Sequence, residues 1–70
     1  MVTTKTREKL KVLRVKAEMT QEQLASKSGV SARSIILYEM NVNNLRKAHY
    51  STLEKIANAL GVKVDDIFLG

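Results

Sequence analysis

The sequence predicts an all-α fold, a compact five-helix bundle in a single domain. Three observations predict it. Apolar residues recur at helical spacing along most of the chain, the mark of helices with one buried face. There is no proline to interrupt them, and almost none of the apolar–polar alternation that half-buried strands need. The connections between the periodic stretches are short, so consecutive helices pack against each other. The 70 residues form one domain, 1–70, with its core at about 6–69. A chain of this length buries little apolar surface.

Each element has its own signal. The first helix is expected over Thr6–Ala17, with Leu10, Leu13 and Ala17 on one face. The second begins at Thr20, where Thr20-Gln21-Glu22-Gln23 reads as a capping box. There the threonine hydroxyl accepts an orphan N–H and Gln23 reaches back to the cap. It ends at Gly29, because glycine takes the left-handed C-cap conformation at little cost. The third follows Ser31, an N-cap residue, and runs to about Met40. Asn41-Val42-Asn43-Asn44 has strong turn chemistry and is expected to be a turn. The fourth helix spans about Ser51–Leu60, with Tyr50, Leu53, Ile56, Ala57 and Leu60 on one stripe. Ser51-Thr52-Leu53-Glu54 would be its capping box, and a start at His49 is the alternative. Gly61 ends it. A short last helix covers Val64–Leu69, with Asp65 and Asp66 in its first turn, where the helix dipole favours them. Leu10, Met19 and Tyr50 are read as core residues.

Composition excludes several function classes. Without cysteine there is no disulfide framework and no cysteine-based metal or redox site. His49 alone cannot build a metal centre, so neither metal nor cofactor is expected. No catalytic cysteine or Ser/His/Asp arrangement is evident, so an enzyme is not expected. Apolar runs are too short for a membrane span. Met1–Arg7 is polar and basic with no apolar stretch behind it, unlike a signal peptide; a cytoplasmic protein without a membrane partner is the expectation. The net charge of +5 is uneven. Lys5, Arg7, Lys9, Lys11, Arg14 and Lys16 outweigh Glu8 and Glu18 near the N-terminus, whereas Lys63 stands against Asp65 and Asp66 near the C-terminus. A basic N-terminal half suits a polyanion such as nucleic acid, or equally a solvated helix face.

The second and third helices carry the informative spacing. A helix-turn-helix crosses two helices steeply through a tight turn. Ala25 is small where the second helix would be crossed, Gly29 suits a left-handed turn, and Ile35 is a branched residue that locks the third helix into the core. Leu24 and Val30 add apolar packing on either side of the turn.

The segment Thr20-Gln21-Glu22-Gln23-Leu24-Ala25 … Gly29-Val30-Ser31 … Ile35 … Tyr38-Glu39, with Leu53 … Ile56-Ala57-Asn58-Ala59-Leu60-Gly61-Val62 … Asp65, resembles the Cro/C1-type (XRE-like) helix-turn-helix regulators of phages and bacteria. The resemblance covers roughly residues 6–69. It implies a lambda-repressor-like DNA-binding domain that binds an operator as a dimer and controls transcription. Carried over by position, Gln21 would contact a phosphate at a helix N-terminus. Arg14 and Glu39 match the family's buried pair tying the first helix to the end of the third. Two features depart from the pattern. The connection after Glu39 is longer than the family's usual spacing, and Ala48 stands where proline is frequent. Arg46 and Lys47, in this loop, are candidates for phosphate contacts, with a mobile charged loop as the alternative.

A helical wheel drawn at ~100° per residue from Ile35 places Tyr38 near the core side, and Ala32, Arg33, Ile36, Leu37 and Met40 on the outward face. Arg33 is the natural base reader, since arginine pairs bidentately with guanine. Ser31 caps the helix and could reach a phosphate or a base edge. Ala32, Ile36 and Leu37 suit thymine methyl groups. Alternatively the apolar strip is a protein contact, as in an antitoxin or anti-regulator that uses the same fold. The expected partners are double-stranded DNA and a second copy of the chain, because one recognition helix covers few base pairs. From the resemblance, Val64, Phe68 and Leu69 are candidates for the dimer contact, with Ile67 or Phe68 closing the monomer core instead. The chain ends at Gly70, so no effector domain and no small-molecule ligand is expected, and repression by occupying a promoter is the expected mode.

Overall fold

The computed structural model describes residues 7–70. They form five α-helices, α1 (Leu10–Lys16), α2 (Gln21–Ser28), α3 (Ala32–Met40), α4 (Val42–Arg46) and α5 (Tyr50–Leu60), then one 3-10 turn at Val64–Asp66. Each element sends a side chain to one core. Leu10 comes from α1, Leu24 from α2, Ile35 from α3, Leu45 from α4, Ile56 from α5 and Ile67 from the tail. Leu53, Ala57 and Ala59 complete it, and Leu13, Met19, Tyr38 and Leu60 pack on its margin. Burial of one stripe per helix is the main stabilising term, since helices this short do not persist alone. No described helix is long and apolar enough to cross a membrane.

The architecture is the expected all-α bundle of five helices, but the set differs from the one read in the sequence. The expected Asn41–Asn44 turn is instead the start of α4. Asn41 has an extended backbone, and its Oδ1 accepts from the Asn43 N–H at 2.8 Å, which makes it an N-cap. The same side-chain bond that favours asparagine in turns caps helices. Leu45, only 1% exposed, then holds α4 to the core. The Leu37 carbonyl at the end of α3 accepts from the Asn41 N–H at 3.2 Å and, as a second bond, from the Asn44 side-chain amide at 3.2 Å.

Both ends of the chain also differ. The expected first helix begins at Thr6, which lies outside the described residues, as does Lys5. Residues 7–9 are not helical. Glu8 forms a parallel bridge with Ile67. Its N–H donates to the Asp66 carbonyl at 3.0 Å, and its carbonyl accepts from the Phe68 N–H at 2.8 Å. The expected helix Val64–Leu69 is only the 3-10 turn. The Asp66 carboxylate accepts from the Lys63 N–H at 2.9 Å, and Ile67 then turns extended, which aims its side chain into the core and its backbone at Glu8. Of the alternatives for closing the core, Ile67 does so at 1% exposure, while Phe68 remains 36% exposed. Helix α5 starts at Tyr50 with His49 as its N-cap, not at a Ser51 capping box. Tyr50 lies in the first turn and is 63% exposed, so it is not a core residue.

Candidate nucleic-acid interface

The α2–α3 unit is built from local bonds that its sequence specifies. Thr20 Oγ1 accepts from the Gln23 N–H at 3.0 Å, and Gln23 Oε1 accepts from the Thr20 N–H at 2.8 Å, closing the capping box. Gly29 sits at φ +76° and its N–H donates to the Ala25 carbonyl at 2.9 Å. A Cβ there would meet nothing within 4 Å, so the need for glycine is conformational and not steric. Ser31 Oγ accepts from the Ser34 N–H at 3.1 Å and donates to Ser34 Oγ at 2.9 Å. Ser28 was not singled out in the sequence, yet it is buried inside the turn. Its hydroxyl donates to the Ala25 carbonyl at 3.4 Å and accepts from the Val30 N–H at 3.2 Å. A serine directly before a helix-ending glycine was the available signal.

A polar cluster fixes this unit on α1. Arg14 Nε donates to Glu39 Oε2 at 2.7 Å and Nη2 donates to Oε1 at 3.1 Å, a two-pronged pair whose side chains are 11% and 5% exposed. Arg14 Nη1 also donates to the Met19 carbonyl at 2.8 Å. The hydrogen bond to Glu39 raises the guanidinium pKa above its ordinary value, while burial opposes it more weakly. A raised folded-state pKa means that the pairing stabilises the fold below the free guanidinium's own titration, and that this is lost only as pH rises through the raised value. Gln21 joins the same cluster, its amide donating to Glu39 Oε1 at 3.1 Å. The side chain at the start of α2 is therefore oriented by a residue at the end of α3, a link that sequence spacing does not reveal.

The outward face of α3 is exposed at Arg33, and at Ile36 (41%), Leu37 (44%) and Met40 (74%), with Ala32 half-buried. Arg33 makes no ion pair among the described residues. Arg46 is not in a loop, because α4 takes up the extra length, whereas Lys47 lies in the short turn between α4 and α5. Arg46 lies in the last turn of α4 and donates to Asn43 Oδ1 at 2.6 Å, beside Gly70, and Lys47 is the exposed C-cap. The three C-terminal residues proposed for dimer contact do not share one patch. Val64 lines a cleft of about 290 Å³ with Tyr50 and Glu54. Phe68 lines a separate groove with Met40 and Lys11. Leu69 packs against the core margin. Among the described residues no three His, Cys, Asp or Glu side chains cluster as metal ligands.

The model of the helix-turn-helix family HTH_3 matches residues 10–67, from the first turn of α1 to the residue that closes the core. The chain belongs to this family, the Cro/C1-type (XRE-like) helix-turn-helix regulators. An uncharacterized HTH-type transcriptional regulator of Methanocaldococcus jannaschii is 43% identical over 63 residues, covering 87% of this chain and 88% of the relative. An uncharacterized HTH-type transcriptional regulator of Archaeoglobus fulgidus is 37% identical over 65 residues, covering 90% and 84%. No solved structure gives a significant match.

Proposed function

We propose that the protein is a sequence-specific transcriptional regulator that binds double-stranded DNA as a homodimer on a partly palindromic operator and represses by occupying a promoter. The observation that carries this reading is the exposed Arg33 at the head of the outward face of α3, with the capped start of α2 fixed at the other end of that helix by the Gln21–Glu39 bond. Arg33 reads a guanine in the major groove. Ala32, Ile36 and Leu37 pack on thymine methyl groups, so the half-site is rich in A·T around that guanine. Gln21 and Ser31 hold phosphates, and Lys47 at the exposed end of α4 adds a further phosphate contact. Arg46 is turned toward Asn43 and Gly70, and would have to swing away to join it. Val64, beside the exposed Tyr50, supplies the dimer contact.

Selection of bound duplexes from a random pool tests the proposal. Two half-sites about 34 Å apart, centre to centre, are expected from a dimer of this fold. Arg33→Ala is expected to relax preference at one base position in each half-site by ~1–3 kcal/mol, with the other positions unchanged. An unaltered preference in the variant would remove Arg33 as the reader. A second reading rests on the exposure of Met40, which exceeds that of every other large apolar side chain among the described residues. There the α3 face docks a protein, as in an antitoxin or anti-regulator. It predicts a pool without enrichment.

A further inference from the structure

We propose that the groove enclosed by α1, the end of α3, α4 and the tail docks an acidic peptide segment of a partner protein that carries apolar side chains. The groove has a volume of about 370 Å³. Met40, Val42 and Phe68 form apolar walls, with Met40 and Phe68 open to solvent. A concave apolar surface with a few charges at its edge is the usual form of a peptide-binding site. Lys9 and Lys11 stand on the rim, and neither is in an ion pair among the described residues. Glu39 also reaches the groove, but both of its carboxylate oxygens already accept from Arg14, and one accepts from Gln21 as well. The net field at the rim is therefore positive and favours an acidic occupant. Phosphate groups would gain nothing from the apolar walls. A second copy of the chain fits poorly, because its adjacent acids Asp65 and Asp66 precede Ile67, which is buried. The groove excludes Gln21, Ser31 and Arg33 and shares only Met40 with the outward face of α3, so a DNA preference lost in Arg33→Ala and a peptide preference lost in Lys9→Glu with Lys11→Glu are separate results.

Fluorescence anisotropy of the full chain tests this with a labelled synthetic peptide alternating aspartate with leucine and phenylalanine. The controls carry lysine for aspartate, or serine for the apolar residues. The acidic apolar peptide is expected to bind at least ~5-fold more tightly than either control, a ratio that two rim ion pairs and one filled pocket supply. Charge reversal by Lys9→Glu with Lys11→Glu is expected to invert the preference between the acidic and basic peptides. Met40→Ser, at a highly exposed site that leaves folding intact, is expected to weaken the acidic peptide alone. Amide shifts on binding should centre on residues 9–11, 40–42 and 68. Equal binding of acidic and basic peptides, absence of saturation, or shifts confined to other surfaces would overturn the proposal.

Discussion

The α2–α3 unit and the segment that follows it are held by different kinds of force. In α2–α3 both ends of α2 and the start of α3 are closed within a few residues, by Thr20 with Gln23, by Gly29 and by Ser31 with Ser34. In α4 and the tail, short local bonds are present but the positions are set from far away. Leu45 is buried among residues of other elements, and Ile67 pairs with Glu8 from the other end of the chain. The caps of the first are small independent contributions, added to the burial of Leu24 and Ile35 in the shared core. The second depends on a few side chains whose removal opens the core. The α2–α3 unit has locally closed helix ends, and the rest of the domain, through the shared core and the Arg14–Glu39 pair, sets how firmly that unit is mounted.

Substitutions can break this contrast, and the largest effect is expected at α4. Leu45→Ala removes a fully buried side chain and leaves a cavity, costing ~2–5 kcal/mol in urea denaturation. A loss below ~1 kcal/mol would mean that α4 is only leaned on the core, and the contrast would fail. Next comes Gly29→Ala. The space for a Cβ is open, so only the left-handed backbone is penalised, at ~1–2 kcal/mol. A larger cost would reveal a packing role that the structure does not contain. Thr20→Ala is expected to be smallest, ~1 kcal/mol by the same assay, since it removes one cap bond from an exposed helix end. Gly29→Ala combined with Thr20→Ala should be additive if the two local signals act independently.

The same division explains what was legible in the sequence. The limits of α2 and α3 were readable because Thr20, Gly29 and Ser31 signal through bonds to near neighbours. The outward face of α3 followed from periodicity alone once Ile35 was placed inside. The α4 helix was not readable, because asparagine bonds its own backbone in turns and caps alike, and only the burial of Leu45 decides between them. The extended path of residues 7–9 was hidden behind a helical apolar spacing, since its partner, the backbone of Asp66–Phe68, is remote in sequence. Tyr50 was misplaced because its position on the apolar stripe ignores that α5 begins there, where the first turn projects past its neighbours. In the candidate interface, residue types were readable but mutual contacts were not. The bond from Gln21 to Glu39 exists because two helices cross, and no spacing along one chain encodes it.

The bridge between Glu8 and Ile67 makes the domain close to a ring. Bringing such distant segments together costs loop-closure entropy that every folding event must meet anew. A short linker joining the two segments would meet that cost once, in covalent form. New ends could then be opened at an exposed connection such as the one at Gly61, as circular permutation requires. The α2–α3 unit would keep its supports, while whatever was fused to the new ends would leave the molecule from a different side.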